Sequence, residues 1–208
     1  MEYPFVNIHT HFEEREALTT SSIGIHPWDA EDADLSSDDA AIANEARQSA
    51  ELDVMTTQCV GEIGLDFSTA VDRTAQKRLF IAQLKLAKKH RKVVIIHCVR
   101  AFEAVMEILA TFPLRGVVFH GFIGSVQQMN QAVERGYYLS FGERTFASPK
   151  TQKALREAPI EQIFFETDTS DTSIEEIYQR ATKLRIEDEA TLRCELYNNY
   201  KRLFDTDK

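Results

Sequence analysis

The sequence is short of the residues that build unusual architectures. Its three cysteines, Cys59, Cys98 and Cys194, are odd in number and far apart, with no C-x-x-C pair. That excludes a disulfide framework or a zinc finger and fits a reducing cytosol. Five prolines and eight glycines in 208 residues are too few for a fibrous or disordered chain. No apolar run approaches the ~18 residues needed to cross a bilayer. The start, "MEYPFVNIHTHF", lacks the basic-then-apolar profile of an export signal. Positive charge is also scarce: Lys and Arg number 24 against 33 Asp and Glu, a net charge of −9. A protein held on nucleic acid mainly by a basic surface is therefore disfavoured, although bound metal ions would add positive charge that this count omits. These absences leave a cytoplasmic protein with no membrane segment, read as a single domain over residues 1–208.

What is present is alternation. Seven short apolar, β-branched or aromatic runs read as buried strands: "FVNIH" (5–9), "SIGIH" (22–26), "CVGEIGL" (59–65), "VVIIHC" (93–98), "GVVFH" (116–120), "YYLSF" (137–141) and "IFFET" (163–167). Segments of helical period lie between them. Ser37 caps "SDDAAIANEARQSAEL". "QKRLFIAQLKLAKKHRK" sets Leu79, Phe80, Gln83, Leu84 and Ala87 on one stripe and ends in basic residues, which suit a helix C-terminus. Ser125 and Gly136 bracket a third helix, Ser148 and Pro149 open a fourth, and Ser173 with Glu176 forms a capping box. Strict alternation implies parallel strands with helices outside, as an open doubly wound sheet or a closed barrel. In either case function sits at the carboxyl ends of the strands.

The histidines fall there. Of six, only His90 lies on a polar helix end; His9, His11, His26, His97 and His120 all lie at the ends of predicted strands. One such residue alone is most often a hydrogen-bonded packing residue, but five at one rim suggest a site. Residues i and i+2 of a strand share a face, so His9 and His11 can reach one ion, and Glu166 and Asp168 share a face in the same way. Glu62 is a carboxylate inside an apolar strand, costly unless paired or metal-bound. Imidazoles and carboxylates without thiolates describe a hydrolytic metal site for zinc, manganese or magnesium. Cys98 beside His97 faces the opposite side of its strand and reads as structural.

The ordered set "NIHTHF", "GIHPWDA", "CVGEIGLDF", "VVIIHC", "VVFHGFIGS", "YYLSFG" and "FFETD" resembles the TatD family of metal-dependent hydrolases, within the amidohydrolase-like enzymes, over nearly the whole chain. The resemblance implies an α/β, TIM-barrel-like hydrolase fold with two divalent metal ions (Zn, Mn or Mg). It implies that His9, His11 and Asp168 hold one ion and His97 and His120 the other, with Glu62 bridging. It also implies a deoxyribonuclease that cleaves phosphodiester bonds with a metal-activated water, Asp168 accepting the proton. His26 and Arg144 are the candidate substrate-binding residues. The N–H groups at Gly124 and Ser125 could receive a phosphate, although an N-cap is the simpler role for Ser125.

The chain departs from the family between His11 and Ile23, where a connection of some tens of residues is shortened to Phe12–Ser22. A parallel crossover takes about a dozen residues. The expectation is therefore seven strands, with the family's second strand missing and the barrel shortened or distorted there. Covering of the exposed edge by the loop over residues 13–21 or by a second subunit, as a homodimer, is a further expectation. Val99 after "HC", "HGF", "ETDTSDT" and the Glu143–Arg144 pair also depart from the family, all on the rim that selects substrate. Alternative functions are thus hydrolysis of a small phosphoester, amide or lactone, or a degenerate metal-binding interaction protein. The complete ligand set argues against the last.

Overall fold

The computed structural model describes residues 3–13, 16–33 and 54–205. The helix expected over 37–52 lies outside the described residues. The strands are β1 (Phe5–Val6), β2 (Ala17–Leu18), β3 (Ser22–Ile23), β4 (Cys59–Asp66), β5 (Val93–Val99), β6 (Gly116–Phe119), β7 (Tyr138–Phe141) and β8 (Ile163–Phe165). The longer helices are α1 (Arg73–Lys89), α2 (Phe102–Leu109), α3 (Val126–Glu134), α4 (Pro149–Glu157), α5 (Ile174–Thr182) and α6 (Glu189–Phe204). From β4 to α5 strand and helix alternate as the apolar runs predict. Ser21–Val118 form one compact unit, and Met1–Thr20 with Phe119–Lys208 form the other.

The strand count differs from expectation: eight strands are described, not seven. The additional one is β2, inside the segment judged too short to hold a strand. It pairs in parallel with β1, Phe5 opposite Ala17 and Val6 opposite Leu18. Two paired residues need no helical crossover, so a plain loop suffices, and the minimum length that applies to a full β-α-β passage does not apply here.

In the Ser21–Val118 unit, β3, β4, β5 and β6 are successive neighbours, with β3–β4 and β4–β5 paired in parallel. The middle strands are buried along most of their length, and α1 packs on β4 through Leu79, Phe80, Leu84 and Ala87, the stripe read from the sequence. β4 comes unusually close to β5: a Cβ on Gly64 would lie 2.0 Å from the His97 carbonyl oxygen, and Gly64 has φ +147°. Only glycine fits there, and the close approach brings the end of β4 against His97.

Two buried amides of α1 tie this helix to the strand ends. Gln76 accepts the Asp66 N–H (2.8 Å) and donates to the Asp66 carbonyl (2.9 Å). Gln83 accepts the Ile25 N–H (2.7 Å) and donates to the Ile25 carbonyl (3.1 Å). Each clamp satisfies backbone groups at or just beyond a strand end, which would otherwise be buried at a cost.

In the other unit β7 pairs with β8, Leu139 opposite Ile163 through Phe141 opposite Phe165. The chain after β1 runs beside β8, with bridges from Asn7 to Phe165 and from Thr10 to Asp168. The buried Tyr178 hydroxyl of α5 accepts from the Val6 N–H and donates to the Val6 carbonyl, both at 3.2 Å, holding β1. Burial pushes the pKa of that phenol up, so it remains a donor. Asn199 of α6 donates to the Ile160 and Ile163 carbonyls at the start of β8. Arg185 donates to the Leu155 and Ala158 carbonyls at the C-terminus of α4 and pairs with Glu187 through two contacts of 2.9 Å. The orphan carbonyls of a helix end are thereby matched by a cation.

Candidate metal centre

The N-terminal histidines are placed by a reciprocal amide bond. Asn7 donates to the Thr167 hydroxyl (2.9 Å), and the Thr167 N–H donates back to Asn7 (3.0 Å), all in the core. With the register fixed, the Asp168 N–H donates to the His9 carbonyl (3.1 Å) and the His11 N–H donates to the Asp168 carbonyl (3.0 Å). Asp168 has φ +52°, a left-handed conformation that Asp tolerates better than most residues. Its Oδ1 lies 3.5 Å from His11 Nε2 and 3.9 Å from His9 Nε2. His9 is buried, whereas His11 is half exposed.

His120 follows β6 directly and belongs to the same unit as His9, His11 and Asp168. It forms a second group with Glu166 and Asp168, each offering a ligand atom within 4.8 Å of the others. Glu166 Oε1 accepts the Gly121 N–H at 2.6 Å and lies 3.5 Å from His120 Nδ1. Burial alone would raise the pKa of Glu166, but the His120 and His9 rings outweigh it and hold it below the ordinary carboxylate value. The sequence placed Glu166 on the face of Asp168 without giving it a role; the structure sets it beside His120.

The Ser21–Val118 unit carries His26, Glu62 and His97. His26 Nε2 is 3.1 Å from His97 Nδ1, and Glu62 Oε2 is 3.5 Å from His97 Nδ1 and 3.9 Å from His26 Nε2. The hydrogen bonds assign the tautomers. The Trp28 N–H donates to His26 Nδ1 (3.3 Å), so the His26 proton is on Nε2 and points at His97 Nδ1. His97 therefore carries its own proton on Nε2, which meets Asp66 Oδ2 at 3.2 Å. His97 Nδ1, which accepts this His26 proton, also lies 3.5 Å from Glu62 Oε2, and Asp66 fixes the ring from behind.

Asp66 escaped the sequence reading as a site residue. It is buried, and burial by itself would raise its pKa. Hydrogen bonds from Ser68, Trp28 and His97 more than offset this and bring it down to about 2. Its anionic form is thus the one that orients His97.

These donor sets fit divalent metals of the zinc, manganese and magnesium kind: imidazole nitrogens with carboxylate oxygens, and no thiolate among them. Cys98, beside His97, has its thiol pushed up to about 12 by burial, the opposite of what an activated nucleophile needs. Arg144 is exposed on a 3₁₀ turn after β7, outside the grouped ligand residues. Its neighbour Glu143 accepts from the Ser170 hydroxyl and lies 4.0 Å from Arg180. Ser125 caps α3 within a full capping box, its N–H meeting Gln128 at 3.1 Å, so the cap is the role it fills.

The family model for TatD related DNase matches residues 3–205. The chain belongs to this family. Among curated relatives of this TatD-family chain, the 3'-5' ssDNA/RNA exonuclease TatD of Salmonella typhimurium is 32% identical over 157 residues, covering 71% of the chain and 56% of that protein. The Escherichia fergusonii protein of the same name is 29% identical over 208 residues, covering 88% and 77%. The uncharacterized metal-dependent hydrolase YjjV of Escherichia coli K12 is 34% identical, covering 73% and 58%. The matches to the Salmonella protein and YjjV thus span little more than half of those relatives' lengths. The crystal structure of the E. coli K12 TatD homologue YJJV superposes with a TM-score of 0.74 at 24% identity, over 94% of the chain and 79% of that structure. A TatD family hydrolase from Entamoeba histolytica also reaches 0.74, at 17% identity, over 91% and 75%. The TatD-family chain accordingly has their parallel-sheet, TIM-barrel-like α/β fold. No helix among its described residues is long and apolar enough to cross a membrane.

Proposed function

We propose that this chain hydrolyses phosphodiester bonds of DNA with the help of two divalent ions, Zn, Mn or Mg. His9, His11 and Asp168 would hold one ion and His97 and His120 the other, with Glu62 available to both. Such ions supply positive charge to a phosphoryl oxygen and lower the pKa of a water. The remaining work falls to the side chains. Asp168, with its backbone bonded to both His9 and His11, takes the proton of the attacking water. His26 holds its proton on Nε2 because Trp28 donates to its other nitrogen, and with the His97 Nδ1 lone pair committed to an ion that N–H would turn to a phosphate oxygen. Arg144 offers a second, bidentate phosphate contact.

The observation that carries this reading is the Asp168 carboxylate, set 3.5 Å from His11 and 3.9 Å from His9 by its own main-chain bonds to the same two residues. It is supported by relatives named as nucleases. The net charge of −9 favours a second substrate class, a small phosphoester, because a nuclease gains affinity from basic phosphate contacts. The test is a substrate panel of single-stranded and duplex DNA, RNA, aryl phosphoesters, carboxylic esters and lactones, each with added metal and with chelator. Chelator-sensitive release of nucleotides from DNA is expected. Turnover confined to the small esters would move the assignment to the second class.

A further inference from the structure

Trp28 is the one tryptophan of this sequence, and it is 57% exposed although its ring lies against the His26 and His97 rings. Large aromatic residues bury well and dominate cores, so an indole left open beside functional histidines calls for an explanation. It is not loosely held. Its Nε1–H donates to the buried Asp66 carboxylate at 2.8 Å, its main-chain N–H donates to His26, and Pro27 precedes it in a single 3₁₀ turn. The indole centroid is 4.5 Å from the His26 ring at 83° and 6.3 Å from the His97 ring at 76°. A rigid, exposed aromatic surface is thus fastened to the residues proposed to meet the scissile phosphate.

We propose that Trp28 is the stacking platform for a nucleobase of a single-stranded substrate, the base adjoining the phosphate that His26 contacts. This deepens the proposed nuclease function and rests on it. The polar edge of the indole is already satisfied by Asp66, so what Trp28 offers a ligand is its π-surface, which binds bases without regard to sequence. Base faces are open in single strands and stacked away in duplexes. Stacking does not depend on net charge, so it supplies affinity that a chain at −9 gains little of from phosphate contacts alone. Through Asp66, the same residue links base binding to the orientation of His97.

Because Trp28 is the sole tryptophan of these 208 residues, the emission of this chain reports on it directly. In chelator, to prevent cleavage, titration with a short oligothymidylate quenches that emission, and an abasic strand of equal length does not. With metal restored, Trp28→Leu raises KM for the oligothymidylate about tenfold, whereas Trp28→Phe, which keeps a stacking face but loses the N–H, stays within about threefold. The proposal is overturned by unchanged emission, by equal quenching from the abasic strand, by a Trp28→Leu protein with the parent's KM, or by Trp28→Phe falling as far as Trp28→Leu. That last result would assign the residue's effect to its bond with Asp66. A parent protein that is quenched by the strand yet cleaves nothing under any metal sinks the nuclease reading and leaves the base platform standing.

Discussion

Asp66 and His97 are joined at 3.2 Å, carboxylate Oδ2 to imidazole Nε2, on the side of the ring opposite the nitrogen that faces Glu62. The bond sets the tautomer of His97 and raises the basicity of its free nitrogen. Asp66→Asn removes the charge but keeps the shape. Metal affinity at the His97 group should fall about 10- to 100-fold. Calorimetric titration of the chelator-treated protein with Zn²⁺ or Mn²⁺ checks it, and an affinity equal to the parent's would remove Asp66 from the account.

Gly64 against the His97 carbonyl makes the sharpest steric prediction. A methyl group there would lie 2.0 Å from a backbone oxygen, at a φ that L-residues rarely adopt. Gly64→Ala should cost more than about 3 kcal/mol, read from urea denaturation, because neither strand can retreat without breaking the ladder beside it. A midpoint within error of the parent's would show that β4 and β5 are not so closely apposed.

Gln83 sits on the apolar stripe of α1, yet both ends of its amide serve Ile25, one residue before His26. Gln83→Leu fills much of the same volume and strands two backbone groups, at a cost of about 1–3 kcal/mol. Amide hydrogen exchange at Ile25 should rise in the variant; unchanged protection would mean that other contacts hold the segment.

Much of this was legible in the sequence, for reasons these residues make plain. His9, His11, His97, His120 and Asp168 stand at or just beyond the ends of apolar runs, and strand periodicity alone puts His9 and His11 on one face. All five residues of the expected α1 stripe are buried, with Gln76 and Leu86 buried beside them. The clamps were hidden. Periodicity marks Gln83 as buried but cannot say that its amide is spent on a backbone 58 residues away, nor that Asn7 reaches Thr167, 160 residues on. Asp66 closes the same run as Glu62, yet nothing local distinguishes an anion that orients a histidine from one that caps a turn. β2 was missed because two half-buried residues, Ala17 and Leu18, make no run at all.

Arg185 and Glu187 yield a pH prediction. The Arg185 hydrogen bond holds the pKa of Glu187 below its ordinary value. A carboxyl depressed in the folded state contributes stability above its unfolded pKa of about 4.3 and loses it as pH falls through the lower folded value. Arg185→Met removes that partner and the donors to Leu155 and Ala158. The loss should be about 2–4 kcal/mol at neutral pH, and should shrink as pH falls below about 4.3 and through the lower folded pKa, where the parent gives up the Glu187 contribution. Thermal denaturation across this range measures both; a difference that grows on acidification has the wrong sign for the account.

The most direct measurement strips the protein with chelator, restores Mg²⁺, Mn²⁺ or Zn²⁺ singly, and follows cleavage of single-stranded DNA by the parent and by Asp168→Asn. The account predicts that the stripped parent is inactive, that at least one ion restores cleavage, and that Asp168→Asn with the same ion is slower by about a hundredfold or more. Cleavage that survives the chelator, or an Asp168→Asn protein as fast as the parent, would contradict it.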